Sequence, residues 1–209
     1  MRYTLILFVL LITVRSLSSQ QTGDLFYVPT KHTAQAPALI ITSCTGATQA
    51  DIDSNRAVAD SFGWILATCA KTKNHQDAAL NDQYVMATYQ VLISKYQIDK
   101  SRVFIYGFSG QAVQALMEVF LHPELLRGAV AICAHAGALP LAQWETLAGR
   151  GFYLISRQKD WNLEDNKKMH QLFQANGLRD TLVITKGQHG PRDRFELFRG
   201  SKWLNRNLK

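Results

Sequence analysis

Ser109 stands in Gly107-Phe108-Ser109-Gly110, directly after the apolar run 103–106 and directly before a helical-period pattern of Ala112, Ala115, Leu116, Val119 and Phe120. A serine at the tip of a sharp strand-to-helix turn is held in a strained backbone conformation with its side chain lifted clear of the sheet, so it needs small neighbours. Its hydroxyl is a poor nucleophile at neutral pH; a neutral imidazole must take the proton during attack and return one to the leaving group. His189, in Gly187-Gln188-His189-Gly190 after the apolar run 181–185, is placed for that role. Asp160, in Arg157-Gln158-Lys159-Asp160 after the run 152–156, would accept the other ring N–H and fix the tautomer. Asp165, one helical turn further on, is the competing carboxylate or a helix-start residue. The bland alternatives are a plain turn with a solvated Ser109 and an exposed loop histidine at 189. The order serine, acid, histidine, each beyond the carboxyl end of a strand, favours the chemistry.

The negative charge of a tetrahedral intermediate needs donors aimed at it, and losing one commonly costs about 3 kcal/mol in barrier. The Gly110 amide is one expected donor, and the loop Ser43-Cys44-Thr45-Gly46 should supply the other, from Thr45 or Cys44. His135 follows the apolar run 129–133, and Trp161 adjoins Asp160. Both are candidate substrate contacts, with structural packing as the plainer reading. The remaining histidines show no metal-ligand spacing, so neither a metal site nor a cofactor is expected.

These residues need elements to hold them. Uninterrupted apolar runs at 37–43, 64–69, 103–106, 129–133, 152–156 and 181–185 suit strands buried on both faces of a parallel sheet, with a short edge strand at 25–28. Helical patterns cover 50–62, 78–96, 111–121, 166–175 and 192–208. Regular alternation with short connections argues for a single α/β layer structure with right-handed crossovers. The connections are too short for a lid.

The stretch around Ser109 resembles the Gly-x-Ser-x-Gly nucleophile elbow of the α/β-hydrolase superfamily. Its Gly-Phe-Ser-Gly wording looks most like the dienelactone hydrolase and polyhydroxyalkanoate-depolymerase-like esterase branch. Gln111 stands where that family has its last glycine, and Ser43-Cys44 where it has His-Gly, with Gly46 kept. Spanning residues 37–191, the resemblance implies a single-domain, three-layer α/β-hydrolase fold with a mostly parallel sheet and no cap domain. It also implies a serine esterase, free of cofactors, forming an acyl-enzyme from small-molecule or polymeric esters such as acylated sugars, polyester fragments or feruloyl esters. It favours Asp160 over Asp165 as the acid. The rivals are a degenerate hydrolase that binds a ligand or protein without turnover, and a serine peptidase using the same three side chains.

With 209 residues, 47% hydrophobic and 19% charged, the chain suits one soluble domain. Arg2, the apolar stretch 5–14 and Ser16-Leu17-Ser18 read as a signal peptide over residues 1–19, leaving 20–209 as the mature, secreted or periplasmic domain without a stable membrane anchor. Removing Arg2 and Arg15 from 23 basic residues leaves 21 against 16 acidic, a balance of +5. The C-terminal basic residues accompany no nucleic-acid motif and read as a solvated helix face. Three cysteines are too few for a disulfide scaffold; Cys44 and Cys69 could pair across neighbouring strands, or all three stay thiols. The oligomeric state is open.

Overall fold

The apolar runs become strands of one seven-stranded sheet: those at 37–43, 64–69, 103–106, 129–133 and 152–156 lie in its interior, whereas 181–185, expected to be buried on both faces, forms the outer edge strand, where Ile184 is 42% exposed. The computed structural model describes residues 23–190 and 195–208; the signal segment read at 1–19 and the first residues of the last expected helix lie outside the described residues. In chain order the elements are β1 (Phe26–Tyr27), β2 (Ala36–Ile41), α1 (Gln49–Phe62), β3 (Ile65–Thr68), α2 (Ala78–Lys95), β4 (Ile98–Phe108), α3 (Gly110–Leu121) and β5 (Gly128–Ile132). Two 3-10 turns, Ala136–Leu141 and Trp144–Leu147, precede β6 (Gly151–Lys159), α4 (Leu163–Ala175), β7 (Arg179–Gln188) and α5 (Glu196–Asn207). Spatially the strands run β1-β3-β2-β4-β5-β6-β7, all neighbours parallel except β1 on β3.

Because side chains alternate across a strand, each continuous apolar run is divided between two cores. Ala38 and Ile40 of β2, Val103 and Ile105 of β4, and Ala129 and Ala131 of β5 face the layer of α2, α3 and α4. Leu39 and Ile41, Phe104, and Val130 and Ile132 face α1 and α5 on the opposite side. This is the single-domain, three-layer architecture expected, and the described residues include no cap domain.

Three further expectations change. The segment from Arg157 was read as loop, but β6 runs on to Lys159, because β7 continues alongside it with Arg157 opposite Thr185 and Lys159 opposite Gln188. Helix α4 starts at Leu163, three residues earlier than its apolar spacing indicates. Cys44 and Cys69 are both free thiols: Cys69 is buried in the core, while the Cys44 thiol turns to the Ser109 turn and donates to Phe108 O at 3.3 Å.

Candidate active site

Ser109 joins β4 to α3 with φ 56° and ψ −124°. Its amide donates to Ile132 O at 2.8 Å, tying the turn to β5. A Cβ on Gly107 would stand 1.9 Å from Gln111 O, so only glycine allows the chain to fold back this tightly. The close approach therefore falls at Gly107, and position 111 tolerates a side chain: Gln111 is buried, its amide 3.5 Å from Asn74 Oδ1. The non-glycine residues at positive φ among the described residues are His75, Ser109 and Cys133. All three adjoin the same rim, at about 1–3 kcal/mol of backbone strain each.

At that rim His189 Nε2 lies 2.9 Å from Ser109 Oγ, and His189 Nδ1 lies 3.0 Å from Asp160 Oδ1. The Asp160 side chain is fully buried. Burial opposes its ionisation, but hydrogen bonds from the Cys133 thiol, the Asn162 amide and His189 outweigh that and hold the carboxyl below its ordinary value. The Cys133 thiol, itself buried, is pushed up to about 12 and stays protonated as a donor. Asp165 is elsewhere: its carboxylate accepts from Ala136 N at 3.1 Å and anchors the first 3-10 turn.

The imidazole is held on its faces as well as its edges. Trp161, 75% exposed, stacks on it with ring centroids 3.9 Å apart and an interplanar angle of 14°, and Phe108 approaches at 5.3 Å. Its loop is gripped by Arg157, whose buried guanidinium donates to Gly190 O at 2.8 Å (Nη2) and 3.1 Å (Nε), to Thr185 Oγ1, and to Glu196 Oε2 at 2.8 Å. A buried ion pair of this kind is costly to break from one side.

A cavity of about 460 Å³ opens beside Ser109 and Gly110. His135 and Trp161 both line it; His135 Nδ1 also accepts from Gly137 N at 3.0 Å. Thr45 is exposed, and the side chain facing Gly110 is Asn74, whose Oδ1 would be 2.6 Å from a Cβ there. Asn74 N donates to Cys44 O at 2.9 Å, and the neighbouring Lys73 is clamped through both backbone groups by the buried amide of Asn81. Asn74 and Arg157 escape a reading of the sequence: one sits in a polar loop and the other acts on a carbonyl, and neither leaves a pattern. A larger hollow, about 880 Å³, lies where β4 begins, at the opposite edge, lined by Gln35, Tyr96 and Lys100 among others.

Cys133, Asp160 and His189 also offer ligand atoms within 4.8 Å of one another, but the ring nitrogen facing Asp160 is the one that orients His189 toward Ser109. A hydroxyl bonded to an imidazole that is in turn bonded to a buried carboxylate can activate an oxygen nucleophile and recycle its proton.

No protein-family model matches the chain, and no curated protein aligns with it. Solved structures do. FphF, a fluorophosphonate-binding serine hydrolase of Staphylococcus aureus, superposes with a TM-score of 0.65 at 11% identity, over 87% of this chain and 91% of that one. Esterase PE8 gives 0.65 at 17%, over 88% and 97%. Dipeptidyl peptidase 4 of Porphyromonas gingivalis gives 0.65 at 16%, over 88% of this chain and 33% of that longer one. The chain has the α/β-hydrolase fold.

Proposed function

We propose that the protein is a serine hydrolase that cleaves carboxylic esters through an acyl-enzyme. The observation that carries the reading is the continuous hydrogen-bonded path from Ser109 Oγ through His189 to Asp160. Ser109 attacks the ester carbonyl while His189 Nε2 takes its proton. Asp160 holds the ring and balances its positive charge. The oxyanion is met by the Gly110 amide and by the Thr45 amide, and the Asn74 side-chain amide beside Gly110 is a further donor. Collapse breaks the ester C–O bond; His189 gives its proton to the departing alcohol oxygen. Water, deprotonated by the same ring, then releases the acid and restores the serine.

His135 and Trp161 contact the substrate in this scheme. The leader read at residues 1–19 supports an enzyme that is secreted or periplasmic, and the open rim supports small or polymeric esters. The test is labelling by a fluorophosphonate probe alongside hydrolysis of p-nitrophenyl esters. Both activities are expected in the wild type and absent in Ser109→Ala. A folded wild type that neither labels nor hydrolyses would make the chain a binding module instead.

A further inference from the structure

Behind the Ser109 cavity, a second histidine meets carboxylates. Asp82 of α2, Glu118 of α3 and His122, which caps α3, each present a ligand atom within 4.8 Å of the others. Glu118 and His122 are four residues apart and so lie on one helical face. Asp82 comes from the neighbouring helix, so no spacing along the chain reveals the set.

We propose that Asp82, Glu118 and His122 bind a divalent transition-metal ion, zinc being the best fit, that braces α2 against α3. The donor set of one imidazole and two carboxylates suits zinc, whereas calcium takes six or more oxygens. Two carboxylates neutralise the ion, as a buried site requires. Glu118 is fully buried; its Oε1 accepts from Gln114 Nε2 at 2.5 Å, while its Oε2 meets no donor among the described residues, the neighbouring Asp82 bringing a second carboxylate within hydrogen-bond reach of the group. A buried acceptor left unmatched is destabilising and rare, and a cation satisfies it.

The surroundings are those of a site. Gln114 fixes the Glu118 carboxylate and also donates to Ala78 O at the start of α2, supplying the outer layer of hydrogen bonds that orients ligands. The side chains of Asp82 and His122 are 24% and 25% exposed, which gives the ion an entrance and a water the fourth position. His122 Nε2 and Asp82 Oδ1 now touch at 2.6 Å. Around zinc at 2.0–2.1 Å, tetrahedral ligands stand roughly 3.3 Å apart, so the pair opens by less than about 1 Å. The rival is a carboxylic acid at Glu118 sharing its proton with Asp82, with burial pushing Glu118 up to about 9.

The test is titration of the chelator-treated, full folded protein with zinc ion by calorimetry, and with cobalt(II) followed by visible absorption. One ion per chain, a tetrahedral cobalt spectrum and a raised Tm are expected. Glu118→Gln, which is isosteric, and His122→Ala should each abolish the cobalt spectrum, and Gln114→Ala should weaken binding by about 10–100-fold. Asp160→Asn should leave the spectrum intact. No saturable uptake by the wild type, or uptake unchanged in both Glu118→Gln and His122→Ala, overturns the proposal. Loss of the spectrum in Asp160→Asn alone also overturns it, placing the ion at Ser109 and His189.

Discussion

His189 and His122 each sit against a carboxylate, Asp160 at 3.0 Å and Asp82 at 2.6 Å, yet their surroundings differ. At His189 the free nitrogen faces a hydroxyl on a strained turn, at an open rim. At His122 the same nitrogen faces Asp82, and the third group is a buried carboxylate, which attracts a cation. A third pair, His170 with Asp180, has no third ligating side chain beside it among the described residues. An imidazole on a carboxylate therefore defines little. The third group is what separates the proposed proton carrier from the proposed ion ligand.

The contrast is broken most severely at the hydroxyl. Ser109→Ala should lower ester turnover on the order of 10⁵- to 10⁶-fold, since groups that act as a unit fail together. Steady-state rates of the folded variant check this. Next comes the carboxylate: Asp160→Asn should cost about 10⁴-fold in kcat by fixing the wrong tautomer, whereas Asp165→Asn, whose partner is Ala136 N, should change kcat only a few-fold. The reverse result would show that proximity to His189 is not what matters.

Smaller is the effect expected at Asn74. If its amide meets the oxyanion, Asn74→Ala should lower kcat by about 10²–10³-fold with KM little moved. An unchanged kcat leaves that donation to Thr45. Smallest is a difference in acid stability. The carboxyl of Asp160 titrates below its ordinary value of about 3.9. Its stabilisation is therefore present above that value and is lost as pH falls through the lower, folded one. Asp180, raised by burial despite His170, contributes with the opposite sign. Denaturation curves should show Asp160→Asn losing less stability than the wild type as pH is lowered through this range.

The inner strands were legible because doubly buried parallel strands must be apolar on both faces, and the runs from 37–43 to 152–156 carry that directly; 181–185 reads the same way yet lies, partly exposed, at the sheet edge. Ser109, Asp160 and His189 were legible as types in loops, since a turn between glycines and a histidine after a strand leave marks in sequence. What Arg157 does was not, because a guanidinium that grips Gly190 O answers to backbone position, which the sequence does not print. Glu118 was hidden for another reason. Its neighbours Leu116, Val119 and Phe120 give α3 a clear apolar face, and a charged residue among them reads as solvated although it is fully buried. The role of Gln111 was obscured because the resemblance puts a glycine at that position, whereas the close backbone approach that demands one is made at Gly107.

Trp161 lies flat on His189 while most of its indole faces water. Indole emission is quenched by a charged imidazole beneath it and spared by a neutral one. Of the four tryptophans, the one at 161 is therefore the reporter on the ring proposed as the general base. The protein carries its own optical gauge, readable without any attached dye.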